Sequence, residues 1–152
     1  MARETGLEAY EAARTIAAIR DRLIANKESF ITETVLSDPV GEKVEVLAKA
    51  AQAGFDVTVI YIGTANSNLS KERVQSRVEA GGHHVPTEKL AARYQRSLEN
   101  LRRAIEQLPR VVIYESSPFA NPHQSLAEFQ NGNCIRQKVT ELPEWIPPFI
   151  PV

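Results

Sequence analysis

Arginines recur at helical spacing on both sides of a glycine-rich break in the segment Arg73–Ser97, RVQSRVEAGGHHVPTEKLAARYQRS. Arg73 and Arg77 are four apart and share one helix face; Arg93 and Arg96 are three apart and share another. From Lys71 to Arg96, six basic residues stand against three acids, although the whole chain carries a net charge of -1. Guanidinium groups are fixed, forked donors, so two arginine-bearing helices folded back on each other suit a phosphate-rich ligand. The plain alternative is a solvated helix face, with the arginines paired to Glu72, Glu79, Glu88 and Glu99.

Other residues invite chemistry less strongly. Glu33, with Thr34, ends a short β-branched run and could accept hydrogen bonds from substrate hydroxyls; the alternative is an ordinary ion-pair partner. His83 and His84 follow Gly81 and Gly82, but the third histidine, His123, is far along the chain. That spacing does not build a metal site, and a turn-stabilising role for His83 is expected. Ser37-Asp38-Pro39 reads as a helix start, with Asp38 as N-cap and Pro39 at the first helical position, not as a nucleophile and its base. Cys134, the single cysteine, reads as an inert thiol. Trp145, among prolines, is expected to anchor the tail on the body or to serve an interface.

The elements that must position these residues follow from periodicity. Gly6–Lys27 has the pattern of an amphipathic helix. Ser29–Val35, SFITETV, reads as a strand. A helix runs from Pro39 to Ala53 and stops at Gly54. Asp56–Ile62, DVTVIYI, is almost continuously apolar, as in a strand covered on both faces of a parallel sheet. Helices are predicted at Ser67–Ala80 and Thr87–Leu108, and a third strand at Arg110–Tyr114. A short helix is predicted at Gln124–Phe129 and a strand at Cys134–Val139. The tail, residues 142–152, carries Pro143, Pro147, Pro148 and Pro151 and cannot be helical. This rhythm is that of one α/β domain spanning residues 1–152 with a parallel sheet. Ligands of such sheets sit beyond the carboxyl ends of the strands, here at Glu33-Thr34, Gly63-Thr64 and Glu115-Ser116.

Composition sets outer limits. The chain has 152 residues, 43% of them hydrophobic and 24% charged. That suits a soluble domain with a real core. The near-neutral charge weighs against bulk nucleic-acid affinity, and Tyr94 is the lone aromatic within the basic segment. A polar, acidic start and one cysteine lead to the expectation of a cytoplasmic protein with no membrane segment.

The stretches Phe30–Ser37, Ala53–Gly63, Arg73–Pro86 (R-V-x-x-R-V-x-x-G-G-H-x-V-P), Arg93–Leu101 (R-Y-x-R-S-L-x-N-L) and the strand ending at Tyr114 resemble the zeta-toxin-like P-loop kinases. The resemblance implies a three-layer α/β fold and an ATP-dependent phosphotransferase. By it, Arg77, Arg93, Arg96 and Arg73 are lid arginines that contact ATP phosphates, with Gly81, Gly82 and His83 forming the lid turn. Glu33 and Thr34 become acceptor-site residues, the acceptor being a small-molecule hydroxyl such as that of a nucleotide-activated amino sugar. ATP with Mg2+ is the implied cofactor, and an antitoxin or a protein completing the sheet is an implied partner.

Two features of the family pattern are missing. The glycines stand at 6, 41, 54, 63, 81, 82 and 132, and none forms the loop G-x-x-x-x-G-K-S/T. No aspartate precedes Asp21, so the family's candidate base is missing as well. Val35 replaces a common threonine, and Glu115 stands near a position usually carrying Asp or Asn. The expectation is a parallel sheet lacking its first strands, the P-loop strand among them, with no catalytic residue assigned. The chain by itself is then expected to show little or no kinase activity. Two readings stay open: a kinase domain of this family, or a non-catalytic binding or regulatory remnant, including one half of a split kinase.

Overall fold

The computed structural model describes residues 4–65, 87–116 and 123–146, with side chains described from residue 11 in the first helix and from Leu90 in the helix that begins at Thr87. The chain divides into two units, Met1–Thr34 and Val35–Val152. In the first, helix α1 spans Glu4–Ala25, and Lys27 turns out of it with φ 57°. An extended segment follows to Thr34, with Ile31, Glu33 and Thr34 all exposed.

The second unit holds α2 (Glu42–Gln52), β1 (Thr58–Gly63), α3 (Thr87–Gln107), β2 (Arg110–Glu115), β3 (Gln124–Gln130) and β4 (Asn133–Gln137). The strands form one mixed sheet in the order β1-β2-β3-β4. β1 and β2 are parallel, with Val59 opposite Val111, Tyr61 opposite Ile113 and Gly63 opposite Glu115. A Ser116 N–H to Gly63 carbonyl bond of 2.9 Å carries that ladder one step further. β3 runs antiparallel to β2, and β4 to β3.

The core lies between this sheet and the two helices. α3 contributes Leu98, Leu101, Ala104, Ile105 and Leu108, which fall on one stripe at helical spacing. Val111 and Ile113 of β2, Leu126, Ala127 and Phe129 of β3, and Val44 of α2 meet them. Each large apolar side chain buried in this way stabilises by roughly 1.5–3 kcal/mol.

Four sequence expectations are corrected. The run Ser29–Val35 is not a strand: among the described residues no strand pairs with it. From Val35 onward the backbone finds side chains instead. Four successive carbonyls, Val35 to Asp38, accept from Lys43, Asn100, Arg96 and Asn100 again. A carbonyl satisfied this way has no need of a ladder. Gln124–Phe129 is a strand, not a helix. Asn131 (φ 49°) and Gly132 (φ 81°) form a two-residue turn with positive φ at both positions, and that turn forces a hairpin. β1 is covered on one face only, with Ile60 63% and Ile62 53% exposed on the other. It is an edge strand among the described residues, and the sheet is parallel only between β1 and β2. Finally, α2 begins at Glu42 with left-handed Gly41 (φ 81°) as N-cap.

Asp38 still serves that helix, from four residues away: its Oδ1 accepts the Glu42 N–H at 2.6 Å. An ionised carboxylate there satisfies an orphan donor and faces the positive end of the helix dipole. Asp38→Ala is therefore expected to lose about 1 kcal/mol, read as a lower urea midpoint with an unchanged slope.

Candidate functional site

The carboxyl ends of the parallel pair are the place where an open α/β sheet presents a ligand site. Here β1 ends at Gly63, followed by Thr64, and β2 at Glu115, followed by Ser116. Two stripes of α3 hold the surroundings in place. Tyr94, Ser97 and Leu101 form the first. The Tyr94 hydroxyl donates to the Thr64 carbonyl at 3.0 Å, Ser97 shares a 2.9 Å hydrogen bond with the Tyr61 hydroxyl, and Leu101 is buried. Arg96, Asn100 and Arg103 form the second, along the loop that leads into α2. Arg96 Nε donates to the Ser37 carbonyl at 2.9 Å. Asn100 Nδ2 reaches the Asp38 carbonyl at 2.9 Å and the Leu36 carbonyl at 3.3 Å. Arg103 lies against Gly41, where an added Cβ would require its guanidinium to shift.

Burial raises the Tyr61 phenol above its ordinary pKa, offset in part by the Ser97 hydrogen bond. Burial also raises that of Tyr94, and the Tyr61 and Glu115 charges act in the same direction. Both phenols are therefore neutral hydrogen-bonding groups at physiological pH.

The tail closes this end of the sheet. Trp145 and Ile146 are buried, and the Ile146 N–H returns to the Pro143 carbonyl at 2.9 Å. The indole N–H of Trp145 donates to Glu115 Oε1 at 3.2 Å, and its ring lies 6.3 Å from that of Tyr61 at a 30° tilt. It also covers Gly63 so closely that a Cβ there would stand 2.6 Å from Cζ3.

The predicted site residues fall into three groups. Arg93 is exposed on α3 with no ion-pair partner among the described residues, whereas Arg96 is half-buried with its Nε on Ser37. Glu33 and Thr34 are exposed in the extended segment of the first unit. Arg73, Arg77, Gly81, Gly82, His83 and the predicted helix Ser67–Ala80 lie outside the described residues. Sequence reasoning missed Tyr61, Tyr94, Ser97 and Asn100 as site-building residues. The available signal was the polar pattern at 94/97 and 96/100/103, which repeats at the spacing of one helix face.

Among the described residues, the fit to a bound nucleotide is poor. The α2 N-terminus, a natural seat for a phosphate, already carries the Asp38 carboxylate. Among the described residues no group of three His, Cys, Asp or Glu side chains is placed to hold a metal ion. These residues supply no phosphate cradle. Among the described residues, no helix is long and apolar enough to cross a membrane.

A mixed α/β sheet with a parallel pair, helices packed on it and polar residues gathered at the carboxyl ends is compatible with a P-loop-kinase-like domain. The zeta toxin family model matches residues 5–141, and the chain belongs to that family. Membership makes this a kinase-like domain. Neither the curated proteins nor the solved structures give a match.

Proposed function

We propose that the chain carries the lid and acceptor portions of an ATP-dependent phosphotransferase that acts on a hydroxyl of a small molecule, such as a nucleotide-activated amino sugar. The family match over residues 5–141 carries this reading. In it Arg77 and Arg93, with Arg73 and Arg96, face the phosphates with Mg2+ present, around the lid turn Gly81-Gly82-His83. Glu33 and Thr34 face the acceptor. The setting is cytoplasmic, with a toxin's antitoxin as candidate partner. The sequence contains no G-x-x-x-x-G-K-S/T loop, so little or no turnover of ATP by the chain itself is expected. ATP turnover by the purified 152-residue chain, abolished by Arg77→Ala or Arg93→Ala, would overturn that expectation.

A second reading is one half of a split kinase or a non-catalytic binding remnant. The observation favouring it is that β1 is an edge strand among the described residues, with Ile60 and Ile62 exposed on one face. Edge strands recruit partners by adding a strand. Co-expression with a polypeptide bearing G-x-x-x-x-G-K-S/T separates the readings. Complex formation with a gain of γ-phosphoryl transfer supports the split kinase, and no complex with no gain rejects it.

A further inference from the structure

Trp145 lies beyond the region matched by the family model, which ends at residue 141, yet it is built into the carboxyl end of the sheet. Three observations meet there. The ring is 7% exposed and belongs to the main core cluster. Its seat exists because residue 63 has no side chain. Its one polar atom is spent on the carboxylate at the end of β2, Glu115 Oε1. A ring so enclosed is fixed, and a carboxylate hydrogen-bonded to a fixed donor loses rotamer freedom.

We propose that Trp145 is a positioning residue for Glu115, supplied by the segment Leu142–Ile146, and that it aims the carboxylate at a hydroxyl or amino donor of the bound small molecule. The Trp145 bond takes Oε1, and the proposed ligand contact is made through the second oxygen, Oε2. A carboxylate held in place before binding contributes more than one that must be ordered by the ligand. The tail is then a determinant of ligand choice. This rests on the reading that ligand binds at the carboxyl ends of β1 and β2.

The experiment needs no ligand, so its failure is distinct from failure of the kinase reading. The chain has one tryptophan, and hence one indole N–H resonance in a nitrogen-edited proton spectrum of the full-length protein. Expected are slow solvent exchange of that proton and an upfield shift in Glu115→Gln, larger in Glu115→Ala. Trp145→Phe keeps most of the ring and removes the donor. The two Glu115 β-methylene protons are expected to be distinct in the wild type and to merge by rotamer averaging in Trp145→Phe while the fold persists. An indole resonance unmoved by Glu115→Ala, or β-methylene protons as distinct in Trp145→Phe as in the wild type, would overturn the proposal. Should Trp145→Phe fail to fold, the two Glu115 variants decide it alone.

Discussion

Gly63→Ala is expected to destabilise the protein by about 3 kcal/mol, a large effect for one added methyl. The backbone is not the reason, because Gly63 is not among the residues with positive φ. The reason is the Trp145 ring, whose Cζ3 and Cζ2 would stand 2.6 and 2.8 Å from the new Cβ, with Cη2 closer still. The ring is the side of a buried residue, not the flexible end of a long chain, so it must leave its seat. Leaving it exposes the indole and strips Glu115 of its donor. For a chain of this length the loss amounts to a fall in Tm of about 6–12 °C. Emission from the single tryptophan is expected to move to longer wavelength as the ring meets water. The coupling can be isolated. Trp145→Ala alone is expected to cost about 3–5 kcal/mol, but the Gly63→Ala/Trp145→Ala pair should cost clearly less than the two single losses together. The alanine methyl then occupies space that the ring has vacated. Additive losses in the pair, or an unchanged emission maximum in Gly63→Ala, would rule out this account of the seat.

The contrast between Gly63 and Asn131-Gly132 explains which parts of the fold were legible. Long periodic segments declared themselves. α3, β1 and β2 appear near their predicted bounds, because burial of one stripe or face imposes its period on the sequence; α1 also does, although none of its described side chains is buried. Ser29–Val35 has strand composition but no strand partner among the described residues, and pairing is a tertiary fact that composition does not contain. Gln124–Phe129 was misread although its signal was present: an Asn-Gly pair after a short apolar run is a hairpin turn. At the site the limits were of another kind. The arginines stood out by charge, and Arg96 proved to have a backbone carbonyl as partner. Most of the other residues that build the site are neutral, among them Tyr61, Gly63, Tyr94, Ser97, Asn100 and Trp145. Their roles depend on which main-chain atoms the fold brings beside them, and a linear pattern carries little of that.

Asn100 carries the second large prediction. Its side chain is 2% exposed, and Nδ2 has the Asp38 carbonyl at 2.9 Å, the Leu36 carbonyl at 3.3 Å and Asp38 Oδ2 at 3.4 Å. Two amide protons thus serve three acceptors on one short loop. Arg96 holds Ser37 between them, so α3 grips three successive carbonyls just before Pro39. Asn100→Leu removes the donor and leaves the two carbonyls without it, at about 1–3 kcal/mol for each orphaned group, so a total near 3 kcal/mol is expected. Packing alone could produce a loss of that size, and the isosteric change Asn100→Asp separates the causes. Aspartate keeps the volume but turns a donor into an acceptor, facing two carbonyl oxygens and the Asp38 carboxylate. At neutral pH it should therefore be at least as damaging as leucine. Both variants should also speed amide exchange at Glu42, because Asp38 caps that N–H from the same loop. If Asn100→Asp matches the wild type in urea while Asn100→Leu does not, Asn100 fills space and the loop is held by other means. If both fall and Glu42 exchange rises with them, α3 fixes the entry to α2 through hydrogen bonds. The helix that carries Arg93 then also sets the shape of the loop that follows Glu33 and Thr34 in the chain.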